Sequence, residues 1–178
     1  MRGDVWSARL SNQRMQKGNL FTDKRSLIIL LTVFVVVIAD LLTKEWVRSY
    51  PLSEVIQRFG FLQIIHIQNT GAAFGVFQGH SLILAVLAII EIGALLTLAY
   101  YVYKHYPYLV TKWNQIALGL ILAGAVGNLI DRIRFGGAVT DFIDPGFWPA
   151  FNVADSGVTI GAVMLAITVL RLAMKGKN

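Results

Sequence analysis

The chain has 178 residues, 56% of them hydrophobic and only 15% charged, with a mean hydropathy of +0.61. A soluble domain of this length has too little interior to hide so much apolar surface, so lipid is its natural solvent. The net charge of +6 lies beside the apolar runs, which fits a membrane surface and argues against a nucleic-acid partner, and the lack of Cys excludes disulfides, thiolate nucleophiles and Cys-based zinc sites.

Residues 1–25 are polar, carry six basic residues and have no periodic apolar pattern, so a disordered cytoplasmic tail is expected there. Four apolar runs follow: Leu27 to about Trp46, Leu82 to Tyr103, Trp113 to Ile130, and Val158 to Met174. Each is close to the roughly 20 residues that a helix needs to cross the hydrocarbon layer. Backbone groups in lipid must be satisfied within the segment, so all four read as helices, and residues 26–174 read as one four-helix transmembrane domain with a short C-terminal end at 175–178. A cleaved secretory signal is disfavoured, because Asp40 and Lys44 stand where a small-residue cleavage site would be.

Basic residues orient the chain. Eleven of them fall in the tail, the second connection and the C-terminus, and five fall on the opposite side, so both termini are expected to be cytoplasmic. Two connections then face outward. The first, about 50–80, contains Phe59-Gly-Phe-Leu-Gln-Ile-Ile-His-Ile-Gln, which reads as one or two strands ending near Asn69 and Gly71. The second, about 132–154, carries Gly136-Gly137, Pro145-Gly146 and Pro149, and reads as turns with little regular structure. The expected fold is therefore an all-α membrane protein with a small extracytoplasmic β-rich segment between helices 1 and 2.

This topology gathers polar residues at the outer interface: Asp40 from helix 1, Asn128, Asp131 and Arg132 from helix 3, Asp155 from helix 4, and Asn69, Asp141, Asp144 and Asn152 from the loops. Ionisable groups at membrane depth are costly and mark functional sites by default. Each also has a plainer reading. Asp155 could cap helix 4, Asp131 and Arg132 could form an interfacial ion pair, Asp141 and Asp144 could be solvated loop acids, and Lys44 could snorkel. Glu91 interrupts helix 2 at mid-span, and nothing near it in the sequence makes it catalytic. The serines lack a nearby His base, although Ser156 beside Asp155 could be a nucleophile or a cap. No phosphate-binding loop, nucleophile elbow or metal-ligand spacing is present. Water attack managed by two carboxylates is the chemistry left. One carboxyl stays protonated and polarises a carbonyl while the other deprotonates water. The residues alone do not rank Asp131 below Asp141 for that work.

Five stretches together resemble the lipoprotein signal peptidases (signal peptidase II) of bacterial membranes. They are Ala39-Asp40-Leu-Leu-Thr-Lys44, Asn69-Thr-Gly71-Ala-Ala-Phe74, Gly124-Ala-Val-Gly-Asn128-Leu-Ile-Asp131-Arg132, Val139-Thr-Asp141-Phe142 and Phe151-Asn152-Val-Ala-Asp155-Ser156. They occur in the family's order, within about Ser26 to Leu172. The resemblance implies an aspartic endopeptidase that removes the signal peptide of a prolipoprotein just before a Cys carrying a diacylglyceryl group. It implies Asp141 and Asp155 as the catalytic pair, with Asp40, Lys44, Asn69, Gly71, Asn128, Asp131, Arg132 and Asn152 binding substrate or supporting the site. It implies no cofactor or metal, membrane lipid as the surroundings, a monomer, and an inner-membrane location with the active site at the outer face. The chain departs from the pattern in a longer run between Arg132 and Asp141, in Thr140, and in the N-terminal tail. The alternative kept open is a small transporter or proton-coupled channel, motivated by Glu91 and Asp40. A scaffold whose polar residues merely pair is a third reading.

Overall fold

The computed structural model describes residues 24–71 and 81–175 of the chain. The expected tail therefore lies outside the described residues up to position 23, and Lys24 already belongs to a helix. The elements in order are α1 (Lys24–Arg48), β1 (Val55–Phe59), β2 (Leu62–Asn69), α2 (Ser81–His105), a short 3-10 helix (Pro107–Leu109), α3 (Lys112–Arg134), β3 (Val139–Asp144) and α4 (Val153–Lys175).

All four long helices are apolar and long enough to span a membrane. Their exposed faces are apolar, with Leu31, Phe34, Ile90, Leu98, Val163 and Val169 among the side chains turned outward. The buried set contains Asp40, Lys44, Gln115, Asp131, Thr140 and Asn152. A soluble protein has the reverse pattern; here lipid covers the apolar surface and polar groups lie inside. The third helix is the hub. Half of its spanning segment is buried, against 11% for each of the other three.

That hub is possible because α3 is rich in small residues, which let neighbouring backbones approach without help from a hydrophobic effect between helices. Gly127 shows the constraint. A Cβ built there would meet Asp40 Oδ2 at 2.7 Å and Ala154 Cβ at 3.2 Å. Gly127→Val is therefore expected to push α1 and α4 off α3 and to destabilise the fold by about 1–3 kcal/mol, the usual cost of overpacking. Thermal melting in detergent checks this, with Gly93→Val, which meets nothing within 4 Å, as the tolerated control.

The strands form one antiparallel sheet in the order β1-β2-β3. Phe59 opposite Leu62 leaves Gly60 and Phe61 as a two-residue turn, and Gly60 has the positive φ (63°) that such a turn needs. The third strand lies in the connection 132–154, where the sequence suggests turns with little regular structure. Its alternation is masked because Val139 to Phe142 are all buried. Pairing with β2 stabilises it, and the Phe151 carbonyl accepts from the Phe142 and Ile143 N–H groups. The helix α4 also starts at Val153, five residues before its apolar run.

Candidate active site

Three local devices bring the polar residues together. The first is the start of α4. The Asn152 Oδ1 accepts from the Asp155 backbone N–H at 2.9 Å, and Asp155 Oδ2 accepts from the Asn152 N–H at 3.1 Å. This is a reciprocal capping box, in which two otherwise orphaned donors are satisfied. The cap is Asn152, not Asp155 as the plainer reading has it. Counting apolar residues misses this because the first turn of α4 is polar. Ser156 caps nothing either; its hydroxyl donates to the Asn152 carbonyl at 2.9 Å.

The second device is the exit from α3. Phe135 N–H reaches the Asp131 carbonyl, and Gly137 N–H reaches the Arg132 carbonyl at 2.7 Å. The latter six-to-one closure is the Schellman ending, and Gly136 and Gly137 supply positive φ values of 60° and 94°. This turn accommodates the long run between Arg132 and Asp141 and leads into β3, where Asp141 pairs in register with Ile67.

The third device is a buried ionic network from α1. Asp40, Lys44 and Arg48 recur every four residues and share one helix face. Lys44 is fully buried and does not snorkel. Its Nζ lies 2.7 Å from Asp40 Oδ2, 3.0 Å from Asn128 Oδ1 and 3.5 Å from Asp131 Oδ2. Asp40 Oδ1 also accepts the Ala154 N–H at 2.9 Å, tying α1 to the first turn of α4. Asp131 does not pair with Arg132. It accepts from Arg48 Nη1 at 3.2 Å and from the Thr140 backbone N–H at 3.0 Å. The Thr140 hydroxyl accepts from Arg48 Nη1 at 2.7 Å, so this departure from the family pattern is built into the network. Arg48 reads in the sequence only as an outer basic residue. Its four-residue spacing from Lys44 is the signal that could have found it.

Against this frame stand two carboxylates, Asp141 and Asp155. Asn152 Nδ2 donates to Asp141 Oδ1 at 2.7 Å, so one residue holds both: its side-chain amide one carboxylate, its backbone N–H the other. Asn69 Nδ2 donates to Asp141 Oδ2 at 3.0 Å, and Asn128 Nδ2 donates to Asp155 Oδ1 at 2.7 Å. The amide orientations follow from partners that cannot be reversed. Asn69 Oδ1 accepts the Gly71 N–H at 2.9 Å, Asn152 Oδ1 accepts the Asp155 N–H, and Asn128 Oδ1 accepts the Lys44 ammonium. Asn128 is thus the bridge between the ionic network and the carboxylate pair.

Burial, together with the negative charge of Asp155, raises the Asp141 carboxyl from its ordinary value near 3.8 to about 7, against the lowering pull of the Asn69 and Asn152 amides. Asp155 is half-buried in the first turn of α4, where helix N–H dipoles favour negative charge. Arg132 lines the same cavity within electrostatic reach of both. Its Nη1 makes a long 3.5 Å contact to the Asn128 carbonyl, and its buried Nε has no hydrogen-bond partner among the described residues.

The carboxylate pair opens onto a cavity of about 810 Å³ bounded by α2, α3, α4 and the loop before α4, including Trp148 and Phe151. Of the predicted site residues, Asn69, Gly71, Asn128, Arg132, Asp141 and Asp155 line it. Asp40, Lys44, Asp131 and Asn152 stand behind it. Asp144 is apart, accepting the Gly146 N–H in a surface turn at 2.8 Å. His66 is also apart, its Nδ1 2.8 Å from the Tyr50 carbonyl.

A family model described as Signal peptidase (SPase) II matches residues 32–171. A lipoprotein signal peptidase of Dehalococcoides mccartyi is 43% identical over 145 residues, covering 80% of this chain and 89% of that protein. One from Streptococcus pyogenes is 34% identical over 146 residues, covering 79% and 91%. A solved structure described as a bacterial membrane enzyme superimposes with a TM-score of 0.71 at 33% identity, covering 80% of this chain and 87% of that one. Four spanning helices, a small three-stranded sheet and this match over most of the length have one reading: the chain belongs to the signal peptidase II family, peptidases of bacterial membranes.

Proposed function

We propose that the protein is an aspartic endopeptidase that removes signal peptides from prolipoproteins, cutting just before a Cys that carries a diacylglyceryl group. The observation that supports this best is the sharing of Asn152 between Asp141 and Asp155 at the mouth of the cavity. In this reading the two aspartates have different tasks because their surroundings differ. Asp141, buried and near Asp155, is the carboxyl that keeps its proton. Asp155, in the first turn of α4, is the ionised base.

Asp155 takes a proton from water, and the resulting oxygen nucleophile attacks the scissile carbonyl carbon. Asp141 gives its proton to the carbonyl oxygen, so no free oxyanion forms. As the tetrahedral intermediate collapses the C–N bond breaks, the amino group of the Cys leaves with the proton held by Asp155, and one of the two hydroxyls re-forms the C=O bond and returns its proton to Asp141. Arg132, with N–H groups to spare, orients a substrate carbonyl. Asp40, Lys44 and Asp131 position Asn128 and the first turn of α4, and Asn69 with Gly71 positions Asp141. No metal or cofactor has a step. Both termini are cytoplasmic and the site faces outward, at the depth where the acyl chains of the substrate would hold its Cys. The protein acts as a monomer surrounded by lipid.

The test is cleavage of a purified diacylglyceryl prolipoprotein in detergent, followed across a pH series spanning acid to mildly alkaline conditions. Cleavage is expected, with a bell-shaped rate. On the alkaline side the rate is lost with a midpoint near 7 as Asp141 gives up its proton. A rate that does not fall above about 7, in protein that remains folded, would overturn the assignment of Asp141 as the acid.

A further inference from the structure

The mechanism leaves one ionisable residue of the cavity lining, Glu91, without a task. Leu84, Leu87, Ala88 and Glu91 of α2 all line the cavity that holds Asp141 and Asp155. Their spacing puts them on one helix face. Glu91 is the innermost of them, ten residues after Ser81 and so about 15 Å along α2 from its outer end. It has no hydrogen bond or ion pair with any described residue, whereas Asp40 and Lys44 in α1 are bound to each other. A carboxyl in the middle of a spanning helix is costly and is retained where it faces a cavity and finds a partner. The partner is not on the described chain, so it is sought in what enters the cavity.

The opposite wall gives the depth. On α4 the cavity runs from Asp155 to Thr159 and Ile160, one helical turn or about 6 Å farther in. An extended peptide covers that distance in about two residues, at roughly 3.3 Å each. A signal peptide that enters the site must be extended near the scissile bond, and its N–H groups there have left their helix partners behind. In a cavity within the bilayer such groups need acceptors. Apart from Glu91 the lining from α2 is Leu and Ala; on α4 beyond Asp155 it is Ser156, Val158, Thr159 and Ile160, and the Ser156 and Thr159 hydroxyls are already committed to the Asn152 and Asp155 carbonyls, each at 2.9 Å. We propose that Glu91 is a substrate-binding residue, accepting a hydrogen bond from a backbone N–H of the signal peptide two to four residues before the scissile bond.

The inference rests on the peptidase reading above, and the experiment separates the two. Wild type, Glu91→Gln and Glu91→Leu are compared on synthetic diacylglyceryl-Cys signal peptides in which one amide at a time, two to four residues before the cut, is replaced by an ester. The ester keeps the shape of the chain and deletes the N–H. One ester position is expected to lower the wild-type kcat/KM about tenfold. Glu91→Leu, which favours membrane insertion, should show that loss on the all-amide peptide and no further loss on the ester. Glu91→Gln, which retains an acceptor oxygen, should recover most of the wild-type rate. If Glu91→Leu cleaves the all-amide peptide as wild type does, or if every ester costs the same in both proteins, the assignment of Glu91 is overturned and the peptidase reading stands. If wild type leaves the all-amide peptide intact, the peptidase reading falls and takes this inference with it.

Discussion

Replacing Asp141 or Asp155 by asparagine is expected to reduce cleavage at least about a thousandfold, with the protein still inserted and folded. The two variants fail for different reasons. The amide of Asp155→Asn cannot take a proton from water, although it can keep much of the capping geometry with Asn152. The amide of Asp141→Asn cannot give a proton to the carbonyl oxygen, and it offers one acceptor oxygen where Asn69 and Asn152 each direct an amide group. Because the residues work as a unit, the double variant should be about as inactive as either single one. Folding is checked separately by melting. Between about 3.8 and about 7 the folded protein holds a proton on Asp141 that the unfolded chain has already released, so wild-type stability falls as pH rises through that window. Asp141→Asn removes the titrating group. The melting temperature of this variant, measured relative to wild type, should therefore rise as pH is taken from the lower to the upper end of that window. Full activity in either single variant would remove the two-carboxylate mechanism.

Lys44→Met is expected to be the most destabilising single change among the site's supporting residues. The ammonium is fully buried, donates to Asn128 Oδ1 at 3.0 Å, and lies 2.7 Å from Asp40 Oδ2 and 3.5 Å from Asp131 Oδ2. A methionine has nearly the same length and leaves the Asp40 and Asp131 carboxylates facing each other without the cation between them. Breaking a buried ion network by removing one partner costs about 3–5 kcal/mol, because the remaining charges stay buried and uncompensated. Arg48 still compensates Asp131 in part, so the loss should fall mainly on Asp40 and on its hold over the Ala154 N–H. The catalytic effect travels by Asn128. Without Lys44 its Oδ1 keeps only the Asn152 amide, and the Asn128 amide that binds Asp155 is less well held. Thermal melting and residual cleavage should both drop. Asp40→Asn combined with Lys44→Met should recover part of the melting temperature, because it removes the stranded charge, and should not recover activity. A Lys44→Met protein that melts with wild type would sink the network as a stabilising element.

The class of the molecule is legible in its residues alone, since four apolar runs of spanning length have only one physical solution in a solvent without hydrogen bonds. The sequence also placed the helices to within a few residues, found strand character before Asn69, and gathered most of the polar residues that meet, with Arg48 left out and Asp144 wrongly included. Nearly all of these are short-range consequences of composition and spacing. Three things were decided by tertiary structure alone. The strand β3 forms in a Gly- and Pro-rich connection because β2 offers a free edge and α3 ends in a two-glycine turn that delivers the chain to it. The start of α4 moves out to Val153 because Asn152 and Asp155 satisfy each other's backbone, a gain that no count of apolar residues contains. The difference in surroundings between Asp131 and Asp141 is the third. Both are acids near the same interface, and their neighbours in sequence do not separate them. In space one is enclosed by Arg48, Lys44 and the Thr140 N–H, while the other faces the cavity with only neutral amides upon it. What a carboxylate can do is set by the groups that share its volume, and most of those groups lie far away along the chain.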